Sequence, residues 1–391
     1  MRILYLGAFR LPNFDAAAPR VLNVAKALRE AGHSVSFISW GGRYRESDLC
    51  TDGKYRVDGF EYIITNELDP QGGFVDKAKS KLTRGNKTKA LLKQKVSDID
   101  AIITYNGSLT RWLLKFTKKH NIKLINDITE WYSYNELKCT DWIPYAFNMF
   151  ITQKRVKNKI VISSYLDRFY STSHNIIIPA TCDAFESKWQ LNKEYAEQTA
   201  GSFDGVTLIY AGNPSRKDLL HVVINVVQRL ITEGANLRFL ILGITREKYM
   251  AQFTSLLHDS NLSDNIQFLG RVSQDLIPAF YSLSDFMVLL REPNRKSNAG
   301  FPTKFSESMM SGTPVIANLT SDLGKYLIDG KTGFIVENNE EKSLYRLLKE
   351  KVDSLSSEQI KALKTQVKDN NKAFDYHYYI EPLQKFSNEL I

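Results

Sequence analysis

The sequence predicts an α/β protein made of two Rossmann-like, doubly wound domains. Three observations favour this class. The 391 residues exceed the length of one typical core. Short apolar runs alternate with helical patterns, which is typical of βαβ units and parallel sheets. The alternation also restarts after a polar stretch at residues 186–204. We therefore predict domains at residues 1–185 and 205–370, with a C-terminal helix in 371–391 that packs back on the first.

The first domain opens with an apolar strand at Ile3–Gly7. A helix follows over Arg20–Ala31, because its apolar residues recur at helical spacing. Gly32 ends that helix, and Ser34–Ser39 has the pattern of the next strand. Leu109–His120 is the clearest later helix. The further strands are predicted at Ala101–Thr104, Lys123–Asp127, Lys159–Ile162 and Asn175–Ile178.

The second domain repeats the alternation of strands and helices. Its predicted strands are Val206–Tyr210, Leu237–Leu242, Ile266–Leu269, Phe286–Leu290, Pro314–Ile316 and Phe334–Val336. Its predicted helices are Leu219–Glu233, Glu247–Ser260, Leu276–Ser282 and Thr303–Ser311. Ligands of such sheets bind beyond the carboxyl ends of the strands, so site residues are expected in the loops there.

Composition and charge restrict the classes of function. Hydrophobic residues make up 43% and charged residues 24%, which is ordinary for a globular protein. No apolar run approaches the ~20 residues of a membrane span, and the N-terminus does not resemble a secretory signal, so we expect a cytoplasmic protein. The cysteines Cys50, Cys139 and Cys182 match neither a disulfide framework nor a metal site. The net charge of +9 favours anionic partners.

The most informative stretch of the sequence is Asn298–Ala317. A glycine-containing loop precedes a helix, whose N-terminal N–H groups favour phosphate or sugar oxygens. Lys304 and Glu307 are three residues apart, so they share a helical face. The cation suits a diphosphate, and the carboxylate suits the two hydroxyl groups of a ribose. An exposed ion pair is the alternative interpretation of these two side chains.

A basic turn follows the first strand of the second domain. Gly212 begins it, and Arg216 and Lys217 lie where a strand-to-helix turn meets the ligand crevice. Two cations at this position would clamp a pyrophosphate and neutralise the charge that grows on a nucleotide leaving group. The alternative is a solvated turn with two surface cations.

The chain resembles glycosyltransferase family 4 over essentially its whole length. The motifs that carry the resemblance are MRILYLG, KALREAGHSVSFIS, AGNPSRKD, GTPVIAN and DGKTGFIVE, in this order. The resemblance implies the GT-B fold, in which two Rossmann-like domains face a central cleft. It also implies transfer of a sugar from a nucleotide donor without a metal ion or other cofactor, usually with retention at the anomeric carbon.

The resemblance also assigns residues by position. Arg216 and Lys217 resemble the family's diphosphate-binding pair, and Glu307 resembles its ribose-binding glutamate. The residues that would surround the donor sugar and phosphates are Gly212, Asn298, Gly300, Phe301 and Lys304. The family usually has another glutamate eight residues before Glu307, where this chain has Ala299. That departure leaves the identity of the donor sugar open.

Two features of the first domain point to substrates. Arg20 begins a helix from which it would reach the donor phosphates, although a surface cation is an equal alternative. Asp127 and Glu130 lie beside two aromatic residues at a strand end, and we predict that Glu130 or Asp127 takes the acceptor-side catalytic role. The alternative is an N-cap aspartate with a buried aromatic anchor.

Lys77–Lys95 carries eight Lys and Arg residues and no acid. Such runs are often simply solvated, but basic clusters also attract anionic lipid headgroups by ~1 kcal/mol per charge. We expect peripheral attachment to the inner face of the plasma membrane. No nucleic-acid motif is present, and the aromatic residues do not alternate with the basic run, so a nucleic-acid partner is not expected.

The predicted function is that of a retaining hexosyl- or N-acetylhexosaminyl-transferase. It would use a UDP-sugar and a saccharide or polyprenyl-diphosphate-linked acceptor in bacterial synthesis of capsule or exopolysaccharide. Two alternatives stay open from the sequence. One is a nucleotide-sugar epimerase of the same fold, and the other is a non-catalytic nucleotide-sugar-binding partner of a transferase.

Overall fold

The computed structural model describes residues 1–68, 83–132, 137, 139–189, 192–214, 217–352 and 354–391. The chain divides into two compact units. The first unit comprises Met1–Thr181 together with Tyr376–Ile391, and the second comprises Cys182–Asp375. Each unit contains a sheet of parallel strands flanked by helices, so the predicted α/β class is confirmed.

The first unit is an eight-stranded sheet in the order β3-β4-β2-β1-β5-β6-β7-β8. Among the strand pairs of the described residues, only that of β3 with β4 is antiparallel. Its strands are β1 (Arg2–Leu11), β2 (Ser34–Gly42), β3 (Arg56–Val57), β4 (Phe60–Ile64), β5 (Ala101–Tyr105), β6 (Lys123–Ile128), β7 (Asn158–Val161) and β8 (His174–Ile177). Its helices are α1 (Ala17–Glu30), α2 (Asn86–Gln94), α3 (Thr110–His120), α4 (Cys139–Phe147), α5 (Ser164–Phe169) and α14 (Ile380–Asn388).

Strand β1 separates two layers of core in the first unit. Successive side chains of a strand point to opposite faces. Ile3 and Tyr5 therefore join the layer beneath α1, whereas Leu4 and Leu6 join the layer beneath α3. Leu383 and Phe386 of α14 are buried in the first of these layers. Burying each contributes roughly 1.5–3 kcal/mol, which explains why the C-terminal segment belongs to the first unit.

The second unit is a six-stranded, fully parallel sheet in the order β11-β10-β9-β12-β13-β14. Its strands are β9 (Val206–Ala211), β10 (Leu237–Leu242), β11 (Ile266–Gly270), β12 (Phe286–Leu289), β13 (Val315–Asn318) and β14 (Gly333–Val336). Its helices are α6 (Lys193–Ala200), α7 (Leu220–Thr232), α8 (Arg246–Phe253), α9 (Ile277–Leu283), α10 (Arg295–Ala299), α11 (Thr303–Met310), α12 (Glu341–Leu347) and α13 (Ser357–Asp369). The strand order reverses between β9 and β12, which is the switch point where such sheets bind ligands.

The polar stretch at residues 186–204 is not a linker, as the sequence had suggested. It contains α6, which lies within the second unit and packs against α9. The helix buries only Ala196 and Ala200, and the Asn192 side chain caps its first turn by accepting from the N–H of Tyr195 at 3.1 Å. Because two alanines give a weak apolar signal, the sequence pattern predicted a solvated connection here instead of a helix.

Part of the basic run Lys77–Lys95 lies outside the described residues. Its described part forms α2, and two of its cations have partners within the unit. The Lys87 ammonium donates to the Thr65 carbonyl at 3.0 Å, and Lys95 lies 3.5 Å from the Glu61 carboxylate. Among the described helices, none is both long enough and apolar enough to cross a bilayer.

A fully buried lysine, Lys159, lies on β7. Its ammonium donates to the Val156 carbonyl and the Ser173 hydroxyl, and it lies 4.9 Å from the centre of the Tyr170 ring. Burial lowers the pKa of Lys159 to about 7. The folded unit therefore loses this proton far below the ordinary lysine pKa of ~10.4.

We predict that replacing Lys159 with Met removes a rise of stability with pH. Between the folded pKa of about 7 and the unfolded pKa of ~10.4, the unfolded chain binds the proton that the folded chain lacks. The free energy of unfolding therefore increases with pH across that window. Urea unfolding followed by tryptophan fluorescence at several pH values measures this slope. The exposed Lys157→Met variant is the control, and an equal slope in both variants would contradict the assignment.

Candidate functional site

The central strand of each unit carries a tyrosine two residues before a glycine, and each tyrosine contacts a buried aspartate. In the first unit, the Tyr5 hydroxyl on β1 donates to Asp127. In the second unit, the Tyr210 hydroxyl on β9 donates to Asp218 at 2.8 Å. The two aspartates differ in the cations that surround them, and this difference separates a structural pair from a candidate ligand site.

Arg20 neutralises Asp127 inside the first unit. The two side chains form a two-pronged ion pair, with Nη2 at 2.9 Å from Oδ1 and Nε at 3.3 Å from Oδ2. The remaining nitrogen, Nη1, donates to the carbonyls of Ile178 at 2.5 Å and Pro179 at 2.7 Å. Arg20 is 5% exposed and Asp127 is fully buried. The pair thus joins β6, α1 and the segment after β8.

This geometry corrects two predicted site residues. Arg20 was expected to reach donor phosphates, and Asp127 was a candidate for the acceptor-side role. The guanidinium is occupied by one carboxylate and two carbonyl groups, and the carboxylate is occupied by Arg20 and Tyr5. Neither side chain has a free surface for a substrate, because charges buried at this depth need all of these partners.

We predict that Asp127→Ala destabilises the chain by about 3–5 kcal/mol, because Arg20 is left buried without its counter-charge. Urea unfolding measured by circular dichroism tests this. The exposed Glu46→Gln replacement is the control and should change stability by less than ~0.5 kcal/mol. A small effect of Asp127→Ala would show that the pair is not needed for folding.

Asp218 collects two cations in the second unit. The Lys304 ammonium, in the first turn of α11, donates to Asp218 Oδ2 at 2.5 Å and to the Tyr210 hydroxyl at 2.9 Å. Arg291, which follows β12, donates from Nε to Asp218 Oδ1 at 2.9 Å. We call Tyr210, Asp218, Arg291 and Lys304 the second-unit charge cluster. It lies at the carboxyl ends of β9 and β12, the switch point of the sheet.

The second-unit charge cluster has a surplus positive charge. Although burial alone would raise the pKa of Asp218, Lys304 and Arg291 hold the pKa of that carboxyl well below its usual range. Lys304 and Arg291 thus both face the Asp218 carboxylate, and its negative charge opposes the decrease that burial causes in the pKa of Lys304. Within the described residues, the Nη nitrogens of Arg291 have no hydrogen-bond partner. Because the Arg291 side chain is largely buried while two of its nitrogens have no acceptor among the described residues, the cluster is suited to a phosphate ligand.

Gly212 leaves room beside the Lys304 ammonium. A Cβ atom at Gly212 would lie 3.3 Å from the Lys304 Nζ, and the backbone there has a φ of +138°, which favours glycine. Lys217 is exposed in the turn that follows, and it acts electrostatically on Lys304. The predicted partner of Lys217, Arg216, lies outside the described residues.

Glu307 lies one turn after Lys304 on α11 and is half-buried. Burial raises the pKa of Glu307, and the nearby Lys188 and Lys304 partly oppose this rise. No hydrogen bond from another described side chain reaches its carboxylate. The carboxylate is thus available to accept hydrogen bonds from two hydroxyl groups, as the sequence predicted for a ribose.

The loop before α11 agrees only in part with the prediction. Asn298 is half-buried, and its Oδ1 accepts from the N–H of Ser321 at 2.9 Å. Gly300 is half-buried and ends α10. Phe301 was expected beside the donor sugar, but it is buried, with its ring 5.9 Å from those of Phe305 and Tyr326. Its contribution is therefore to fix the loop through aromatic packing.

Ala299 is fully buried at the end of α10. This position corresponds to the glutamate that the resemblance led us to expect. A carboxylate here would be enclosed by protein in the present packing. The chain therefore departs at this position from the pattern on which the prediction of a sugar contact rested.

Glu130 differs from Asp127, because its side chain is exposed beyond the end of β6. It accepts a hydrogen bond from the hydroxyl of half-buried Tyr132. The neighbouring Trp131 is buried and packs edge-on against the rings of Phe150 and Phe169. We therefore keep the predicted acceptor-side role for Glu130 alone, and Trp131 is an anchor of the core rather than a platform for a sugar.

Three residues of the candidate site were missed by sequence reasoning. Asp218 directly follows the basic turn, Arg291 follows β12, and Lys188 lies in the stretch interpreted as a linker. The position of Arg291 after a strand was a weak signal, because many such residues are solvated. Across the described residues, no group of three or more His, Cys, Asp or Glu side chains has the geometry to hold a metal ion.

The structure has the GT-B fold, as two comparisons with solved structures show. The sucrose-phosphate synthase of Thermosynechococcus elongatus superposes with a TM-score of 0.73 at 16% identity, over 100% of this chain and 99% of that one. The Anabaena HepE structure in complex with UDP-glucose gives a TM-score of 0.69 at 13% identity, over 100% of both chains. The predicted fold is confirmed.

Sequence comparison adds the class of protein. Residues 193–373 match the family model described as glycosyl transferases group 1. The GDP-mannose-dependent alpha-(1-6)-phosphatidylinositol monomannoside mannosyltransferase of Mycobacterium tuberculosis is 30% identical over 94 residues, which are 23% of this chain and 24% of that protein. The aligned stretch thus spans about a quarter of this relative. Together the family match and the fold support a glycosyltransferase of the GT-B type.

Proposed function

We propose that this chain is a retaining glycosyltransferase of family 4 that transfers a sugar from a UDP-sugar to a lipid-linked saccharide. The observation that carries the proposal is the surplus positive charge of the second-unit charge cluster. It lies at the ligand-binding edge of the unit that matches the glycosyltransferase family. A nucleotide diphosphate is an anion that this edge can bind and stabilise.

The cations act on the leaving group. During transfer, the acceptor oxygen forms a bond to the anomeric carbon, and the bond from that carbon to the diphosphate oxygen breaks. Negative charge then grows on the diphosphate. Lys304 and Arg291, with Lys217 from the adjoining turn, stabilise that charge in place of a metal ion, a role that the sequence also predicts for Arg216. Glu307 accepts hydrogen bonds from the ribose hydroxyls. Glu130 orients the acceptor hydroxyl, and the proton of that hydroxyl passes to the departing diphosphate oxygen.

The names of similar proteins support the choice of substrates. The Anabaena structure contains UDP-glucose, which favours a UDP-sugar donor. The mycobacterial relative is named for a lipid-linked mannoside acceptor, which favours a lipid-linked saccharide here. With the basic composition, this leads us to propose peripheral attachment at the inner face of the bacterial plasma membrane, in synthesis of a surface polysaccharide on a polyprenyl-diphosphate carrier.

We predict that Glu307→Gln weakens the binding of UDP-glucose roughly tenfold or more, because hydrogen bonds to a charged acceptor contribute about 1.5–3 kcal/mol. The wild-type affinity should also fall as the pH decreases through the pKa of Glu307, which burial raises above its usual value. The protonated form accepts hydrogen bonds poorly, so the variant should lack this decline. Isothermal titration calorimetry in the presence of a chelator measures both effects.

Glu337→Gln, an exposed change in the same unit, is the control for Glu307→Gln and should bind as the wild type does. Equal affinities of Glu307→Gln and wild type would contradict the ribose contact. Should UDP-glucose fail to bind to the wild-type chain, titration with GDP- and ADP-sugars would show whether the error concerns the base alone.

We further predict that Glu130→Gln reduces transfer by about 100-fold while the donor affinity changes less than about twofold, because a positioned carboxylate acts on the proton of the acceptor. Transfer from radiolabelled UDP-sugar to a lipid extract measures the rate, with Glu46→Gln as the control. Unchanged transfer would refute the role of Glu130. Conversion of the donor sugar in the absence of an acceptor would indicate an epimerase. Binding of the donor without any turnover would indicate a non-catalytic partner of a transferase.

A further inference from the structure

A row of large apolar side chains is exposed on the first unit. The helical segment formed by α4 and the π-helical turn Asn148–Thr152 presents Ile143, Phe147, Phe150 and Ile151 to solvent. These side chains are 61%, 47%, 43% and 42% exposed. Their spacing of four, seven and eight residues places them on one face of a helix. We call them the exposed apolar stripe.

The opposite face of the same segment is fixed to the unit. Met149 is buried, and Gln153 at the end of the segment accepts from the Tyr170 hydroxyl at 3.0 Å. Asn148 donates to the Gly107 carbonyl at 3.3 Å. The orientation of the segment is therefore set by buried contacts, and the stripe faces outward as a consequence of packing.

Helix α3 presents a row of cations next to the exposed apolar stripe. Its exposed positive residues are Arg111, Lys115, Lys118 and Lys119, and α3 contains no acidic residue. Their three- and four-residue spacing puts them on one face. The Arg111 guanidinium lies 5.9 Å from the centre of the Phe147 ring, so the two rows are neighbours. We call these four residues the basic row.

Three further cations follow the exposed apolar stripe along the chain. Lys154, Arg155 and Lys157 are exposed, and the Lys154 ammonium lies 4.6 Å from the centre of the Phe169 ring. In the part of the chain that the structure describes, neither these residues nor the basic row form an ion pair with a carboxylate. Between Cys139 and Lys157 the sequence has one acidic residue, Asp141. The surface thus combines apolar area with uncompensated positive charge.

We propose that the exposed apolar stripe and the basic row dock the first unit onto an anionic lipid bilayer. The proposal rests on the membrane location given under the proposed function, and it names the face that makes the contact. An amphipathic surface of this kind buries its apolar side chains at the boundary of headgroups and acyl chains. Its cations meanwhile lie among the anionic headgroups.

Charge favours a bilayer over a second copy of the chain. A twofold dimer through this face would bring two basic rows together, and Asp141 is the one acidic residue that the sequence between Cys139 and Lys157 offers against them. An anionic bilayer supplies the missing negative charge and the apolar phase at one surface. Lys and Arg side chains also extend readily from an apolar surface toward headgroups.

Flotation of the full chain with vesicles tests the proposal. The vesicles contain phosphatidylcholine alone or with phosphatidylglycerol, at low and high salt. We expect the wild type to float with anionic vesicles and to be released by salt. Phe147→Ser with Ile151→Ser should weaken binding at least tenfold. Lys115→Glu, Lys118→Glu and Lys119→Glu together should weaken it about 100-fold, given the typical attraction of each cation to an anionic surface.

Matched controls lie in the second unit. Leu256→Ser removes a side chain of similar exposure, and Lys248→Glu with Lys342→Glu and Lys361→Glu makes the same change of net charge. Both controls should float as the wild type does. Circular dichroism of each variant confirms folding, so a lost interaction is not mistaken for an unfolded chain.

Three results would overturn the proposal. One is a wild type that does not float with anionic vesicles, and another is equal flotation of the stripe variant and its control. The third is a dimer in light scattering that becomes monomeric in the stripe variant, since this would assign the face to a second copy. Flotation needs no catalysis, so the two proposals can fail separately. A chain that transfers the sugar but does not float would reject the docking surface and leave the proposed reaction standing. A chain that floats but does not transfer the sugar would reject the reaction alone.

Discussion

A buried carboxylate must be satisfied by cations and hydroxyl groups, and this requirement shapes the carboxyl edge of both sheets. In the first unit, Asp127 receives hydrogen bonds from Tyr5 and Arg20, and its charge is cancelled. In the second unit, Asp218 has a tyrosine and an arginine in the same roles, and Lys304 is added. The same arrangement of side chains is therefore balanced in charge in the first unit and has a surplus positive charge in the second.

That one additional cation connects the fold of the second unit to its proposed chemistry. Asp218 joins the turn after β9 to Arg291 after β12 and to α11, so the interactions that hold the edge together also fix the cations. A diphosphate would complete the charge balance that the protein leaves open. The burial of Ala299 leaves the proposed nucleotide contacts unaffected, because Glu307 and the cations lie on other parts of the edge.

The fold could be predicted from the sequence because apolar runs of strand length alternate with helical periodicity. Strands β9 and β10 appear within one residue of their predicted ends, whereas α6 was missed because it buries only two alanines. The sequence indicated which types of charged residue the candidate site contains, but it did not indicate which of these side chains pair with each other. Arg20 and Asp127 are 107 residues apart, and Asp218 and Arg291 are 73 apart. Sequence alone does not say which charges meet, so the buried pair was mistaken for two substrate ligands.

The proposed function requires that the nucleotide of the donor binds to the second unit. Photocrosslinking with a UDP-sugar that carries an azide on the uracil, followed by mass mapping of the labelled peptides, tests it most directly. We expect labelling within Cys182–Asp375 that excess UDP suppresses and that Lys304→Met reduces. Labelling confined to Met1–Thr181, or labelling that UDP does not suppress, would contradict it.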